Sequence, residues 1–195
     1  MPKKIYLIRH AESESNAGLR TTYPKDISLS LLGFEQADKL AKEFPKQPDL
    51  IINSPYLRAK QTAEALSIKY PKVPMEEWEV QEFTYLSPNK YKNTTTIERI
   101  PMVMKYWETR DPLYCDGGGA ESFTDLIKRV QATIEKLKNE KEKFIVLFSH
   151  EQFIAAILWS LNTDMADISS DKMREYRAFL ENNRIPNCGI KEITV

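Results

Sequence analysis

The chain of 195 residues is long enough to bury a core in one domain without disulfide or metal staples. Its 28 Lys and Arg balance 28 Asp and Glu, so no overall field draws it onto nucleic acid or an anionic membrane, and an anion has to be caught by a local cluster. A hydrophobic content of 42% and an aromatic content of 10% exclude a disordered or collagen-like chain.

The first element is the apolar run Ile5 to Ile8, which turns abruptly to charge at Arg9 and His10. It is too short for a signal peptide, and no run in the chain approaches a membrane span, so the expected setting is the cytoplasm. Ser30 reads as the N-cap of a helix whose apolar side chains recur at Phe34, Ala37, Leu40, Ala41 and Phe44 before Pro45 stops it. A second apolar run, Leu50 to Ile52, is closed by Asn53, Ser54 and Pro55. Ser54 and Pro55 predict a helix start, with the helix running through Leu57, Ala63 and Leu66 to a stop before Pro71. The stretch around 73–119 is rich in Pro, Thr and Asn and ends in Gly117 to Gly119. It reads as a lid or substrate segment inserted in a single domain over 1–195. The next helix carries Phe123, Leu126, Ile127, Val130, Ile134 and Leu137 on one face. A third apolar run, Phe144 to Phe148, ends at Ser149 and His150, and an apolar helix follows through Phe153, Ile154, Ile157 and Leu158. A helix around Met173 to Leu180 and a strand near Ile190 to Val195 come last. Continuous apolar runs suit strands buried on both faces. Their alternation with helices predicts an α/β domain whose parallel sheet is covered on both sides.

The chain has only 2 His, and each directly follows an apolar strand. The carboxyl ends of parallel strands line the ligand crevice of open α/β sheets, so His10 and His150 are candidate site residues. Arg9 adjoins His10, and Arg58 lies in the first turn after the second strand, beside helix N–H groups that favour anions. Two guanidiniums at this edge suit the bidentate grip of a phosphate. Other routes to phosphate chemistry are missing: there is no GxxxxGK[ST] loop, and neither Cys115 nor Cys188 is followed by an arginine at the spacing of a cysteine phosphatase. The histidines lack the spacing of a helical metal site, so neither a metal nor a cofactor is expected. An imidazole is the nucleophile that remains, and nearby arginines bias it towards the neutral form that can attack phosphorus.

LIRHAESESN resembles the first signature of the histidine phosphatase superfamily, also called the phosphoglycerate mutase-like family. NSPYLRAKQTAEAL is similar to that family's second motif, and VQEFTYL to the segment that supplies its acid. GGAESFTDLIKRV and VLFSHEQF resemble its later helix and second-histidine motifs, in the family's order over nearly the whole chain. The resemblance implies a three-layer α/β/α sandwich with a mixed, mainly parallel six-stranded sheet, of which the last edge strand is in question here. It implies His10 as the nucleophile that becomes phosphohistidine, with Arg9, Arg58 and His150 forming the catalytic phosphate pocket. It further implies Asn16 as a contact near the phosphate and Glu82 as the proton donor.

The activity implied is metal-independent hydrolysis of a small phosphorylated metabolite. A mutase that returns the phosphoryl group to a second hydroxyl is one alternative, and a non-catalytic phospholigand-binding module is another. Specificity would reside in Thr84 to Asp116, where Tyr85, Tyr91, Tyr106 and Trp107 either wall the substrate or pack the segment. Two positions depart from the family pattern. Ala11 stands for a glycine, which matters only if its φ is positive. Glu151 stands for a small residue after the second histidine, and at a helix start its carboxylate is expected to point outward.

Overall fold

In the computed structural model, which describes residues 2–195, the chain passes through β1 (Lys4–Arg9), α1 (Leu31–Glu43), β2 (Leu50–Asn53), α2 (Leu57–Lys69) and β3 (Met75–Glu77). After a 3-10 turn at Pro88–Lys90 come α3 (Thr96–Thr109), α4 (Phe123–Asn139), β4 (Phe144–Ser149), α5 (Glu151–Ser160), α6 (Ser170–Asn182) and β5 (Ile190–Thr194). The strands form one sheet in the order β3-β2-β4-β1-β5. All neighbours are parallel except β5, which runs antiparallel along the edge of β1. The mixed, mainly parallel sheet agrees with expectation. The described residues form five strands, one short of the family's six, as the question over the last edge strand allowed, and the expected C-terminal strand is an edge.

Side-chain alternation divides the strands between two cores, as the period of a strand requires. Ile5, Leu7, Leu50, Ile52, Ile145 and Leu147 pack with the buried faces of α4, α5 and α6. Ile8, Ile51, Val146 and Phe148 face the other way, onto Ala41 and Phe44 and onto Ala63 and Leu66 of α2. The result is a three-layer sandwich. No helix among the described residues is long and apolar enough to cross a membrane.

Three helices depart from the sequence reading. Ser30 caps α1 by accepting a hydrogen bond from the Gly33 N–H, but the buried face is Gly33, Ala37 and Ala41, and Phe34 is turned outward. The reason is close approach: a Cβ on Gly33 would lie 1.9 Å from the Glu12 carbonyl oxygen. The second helix begins at Leu57, because the Ser54 hydroxyl is held by the Tyr56 N–H and by His150. Within 73–119 the chain forms β3 and the 14-residue helix α3, neither of which is expected. A capping box between Thr95 and Glu98 starts α3, and Pro101 inside it is the helix breaker that hides it from a sequence reading. Of the four aromatics, Tyr85 and Tyr106 are buried with Phe83 in the core, and Tyr91 and Trp107 pack against it.

Candidate active site

The register of β1 on β4 pairs Arg9 with Ser149, so His10 and His150 leave neighbouring strands at the same level. Their rings lie 5.0 Å apart, centroid to centroid. β2 ends on the other side of β4, and Ser54 hydrogen-bonds to Phe148 through its N–H, which brings the first turn of α2 and Arg58 to the same edge. The expected convergence of Arg9, His10, Arg58 and His150 at the carboxyl ends of the strands is what the fold produces. Beside it lies a cavity of about 360 Å³.

The state of His10 follows from its two partners. A carbonyl can only accept, so Nδ1–H donates to the Ala11 oxygen at 2.6 Å, which leaves the Nε2 lone pair free to accept from Arg58 Nε–H at 3.0 Å. Burial, reinforced by Arg58 and Arg9, pushes the imidazolium of His10 well below the ordinary 6.5. The ring is therefore neutral at pH 7, with its nucleophilic nitrogen against a guanidinium. Ala11 is compatible with this geometry. Its φ is not positive, its N–H donates to the Thr62 hydroxyl, and its methyl packs on Leu29 and Ala37.

Each arginine keeps part of its fork unused. Arg58 gives Nε to His10 and Nη1 to the Pro24 carbonyl at 2.7 Å, and its Nη2 makes no hydrogen bond among the described residues. Arg9 donates through Nη1 to the Ile185 carbonyl at 2.5 Å, while its Nε is buried without a partner. Asn16 lines the cavity, and its Oδ1 accepts from the Ser13 N–H, the Ser13 hydroxyl and Asn187. His150 is fully buried behind His10 rather than in the cavity wall. Its Nε2 shares a 2.8 Å hydrogen bond with the Ser54 hydroxyl, and burial with Arg58 lowers its pKa well below 6.5.

Glu82 is in the wall of the same cavity, against the first turn of α5. Its Oε1 accepts from the N–H groups of Phe83, Gln152 and Phe153 at 3.0, 3.1 and 3.3 Å. Oε2 has a single long contact of 3.4 Å, so it is the oxygen freer to carry a proton when the carboxyl is protonated. Burial raises the Glu82 pKa above the ordinary 4.5, against the pull of Arg58 and the Phe83 N–H. The neighbouring acids are otherwise placed: Glu121 is held by Nε and Nη2 of Arg129, and Glu79 is exposed.

Glu151 contradicts its expected outward orientation. Its carboxylate turns in, buried, with Oε1 accepting from Ile185 N–H at 3.2 Å and Arg184 Nε at 3.0 Å, and Oε2 lying 3.3 Å from Arg9 Nη1. Two guanidiniums and a backbone donor outweigh solvation at the helix start. The sequence reading also missed Arg99, Arg177 and Arg184, which join Arg9 and Arg58 in the wall to make five arginines against Glu82 and Glu151. Arg99 is buried on α3 and bonded only to neutral acceptors on Ser15, Thr21, Thr94 and Thr96. No sequence signal marks it, since α3 itself is hidden. Among the described residues no group of acidic, His and Cys side chains is arranged to hold a metal ion.

The family model described as histidine phosphatase superfamily (branch 1) matches residues 5–178. The chain is 29% identical over 191 residues to phosphoserine phosphatase 1 of Hydrogenobacter thermophilus, covering 89% of this chain and 88% of that one. It is 29% identical over 171 residues to glucosyl-3-phosphoglycerate phosphatase of Mycolicibacterium vanbaalenii, covering 82% and 74%. A solved mycobacterial glucosyl-3-phosphoglycerate phosphatase matches with a TM-score of 0.72 at 21% identity, over 100% of this chain and 91% of that one, a likeness of fold.

Proposed function

The chain belongs to the histidine phosphatase superfamily, and on that premise we propose that it hydrolyses a small phosphate monoester through a phosphohistidine on His10 Nε2. The observation that carries this reading is the neutral His10, its Nε2 lone pair directed at Arg58 on the edge of a cavity that also holds Glu82. The unused Nη2 of Arg58 supplies a donor for the phosphoryl oxygens. Nε2 attacks phosphorus, the phosphorus–oxygen bond to the alcohol breaks, and the alkoxide takes the proton from Glu82 Oε2. The Glu82 carboxylate then accepts a proton from water as that water attacks phosphorus, which releases inorganic phosphate and restores neutral His10. Two features support the pairing of acid and nucleophile: burial keeps Glu82 protonated to higher pH and His10 deprotonated to lower pH. His150 supports His10 from behind, and Asn16 borders the phosphate.

Residues 73–119, with α3 and its Arg99, form the substrate-selecting segment of this single domain. A buried guanidinium with only neutral partners at a cavity wall suits a substrate whose retained portion carries an anionic group. The test is phosphate release from a panel of phosphorylated metabolites with and without a second anionic group, with p-nitrophenyl phosphate, whose leaving group carries no such group, as the reference and chelator present throughout. Turnover in chelator and preference for the anionic members are expected. Interconversion of phosphoglycerate isomers faster than phosphate release would make the chain a mutase, and binding without turnover would make it a phospholigand module.

A further inference from the structure

We infer that Glu151 is a built-in competitor for the phosphate pocket, a buried carboxylate that offsets the charge of Arg9 and keeps inorganic phosphate easy to release. The inference rests on the hydrolytic reading above and adds a control on the same site.

Its contacts separate charge from geometry. Arg9 is already fixed by the Ile185 carbonyl at 2.5 Å and by its own place at the end of β1. The Glu151 contact to the same Nη1, at 3.3 Å, is long for a charge-assisted hydrogen bond. Glu151 therefore contributes little to where Arg9 points and a full negative charge to what Arg9 attracts. Its other partners are Arg184, whose side chain is 67% exposed and so largely screened by water, and the Ile185 N–H. A phosphate dianion bound on the unused side of Arg9 would share that guanidinium with a buried carboxylate, and like charges at such a distance repel. Without Glu151, Arg9 and Arg58 would hold product phosphate unopposed.

The test uses the full chain and its Glu151→Gln and Glu151→Ala variants, with inorganic phosphate and vanadate as competitors of p-nitrophenyl phosphate. Glu151→Gln keeps an acceptor for the Ile185 N–H and removes the charge together with the acceptor that faces Arg9. The inhibition constant for phosphate is expected to fall on the order of tenfold in both variants, with KM falling in parallel and kcat not rising. A purely structural role would loosen Arg9 and move the constant upward. An inhibition constant unchanged within twofold, or raised, overturns the inference. So does failure of both variants to fold, which would make the carboxylate a structural clamp. Calorimetric binding of inorganic phosphate keeps the two readings distinguishable. A wild-type chain that binds phosphate but turns nothing over refutes the hydrolytic reading, while the variants' dissociation constants still decide the role of Glu151.

Discussion

Replacing Glu82 with Gln isolates one proton. The introduced amide would retain an oxygen to accept from Phe83, Gln152 and Phe153, the groups that hold Oε1 in the parent, so the side chain keeps its place at the start of α5. What it loses is the carboxyl proton that Oε2 would donate. A positioned general acid contributes on the order of 10²–10⁴-fold to departure of an alkoxide, or about 3–5 kcal/mol of barrier. A p-nitrophenolate needs almost none of that help. The expected loss in kcat/KM is therefore about 10²-fold or more on an alkyl phosphate and within about tenfold on p-nitrophenyl phosphate. Because kcat mixes formation and hydrolysis of the phosphoenzyme, kcat/KM is the quantity to compare, under conditions where transfer to His10 limits it. The pH profile adds a second readout. The pKa of Glu82 is raised above 4.5 by burial, so parent activity on alkyl phosphates should fall on the alkaline side as Glu82 ionises, and Glu82→Gln should lack that limb. Equal losses on both substrates would refute the role of proton donor and leave Glu82 as a packing group.

Three further predictions concern the frame around the site. The buried histidines His10 and His150 both titrate well below 6.5 in the folded chain, so the unfolded chain binds protons that the native one refuses. Stability should be full well above pH 6.5 and fall as pH drops below it, by at most roughly 3 kcal/mol for the pair between pH 7.5 and 5.5 in denaturant titrations. Each His→Gln variant should remove about half of that slope. Glu82, raised rather than lowered, acts with the opposite sign at more acidic pH and moderates the loss there. Gly33→Ala should destabilise by about 1–3 kcal/mol, because its Cβ would meet the Glu12 carbonyl at 1.9 Å; an unchanged Tm would show that α1 can move away. Arg58→Ala removes the donor to His10 Nε2 and an anion donor together, and kcat/KM should fall about 10²-fold or more, whereas a change confined to KM would place Arg58 in substrate binding alone.

The apolar runs made the interior of the sheet legible, because strands buried on both faces carry no polar alternation to obscure them. Once Ile5 to Ile8 and Phe144 to Phe148 are strands in register, the convergence of His10 with His150 follows from position alone. Glu82 was legible only through resemblance, since burial and three backbone donors, not its type, separate it from Glu76, Glu77 and Glu79. Side-chain direction was the main thing hidden. Glu151 at a helix start obeys a local rule that points it outward, and two distant guanidiniums overrule it. Phe34 fits a helical period, yet the contact of Gly33 with Glu12 selects a different face for burial. Helix α3, and Arg99 with it, was masked by Pro101, whose local penalty is outweighed by the capping box and by Tyr106 packed in the core.

The central claim is that the phosphoryl group passes through His10. Rapid quenching with a phosphate-labelled substrate tests it directly, because phosphohistidine is labile in acid and stable in alkali. A transient protein-bound label with that stability is predicted in the parent and in Glu82→Gln, and none in His10→Ala. A label that survives the loss of His10, or one stable in acid, would contradict it.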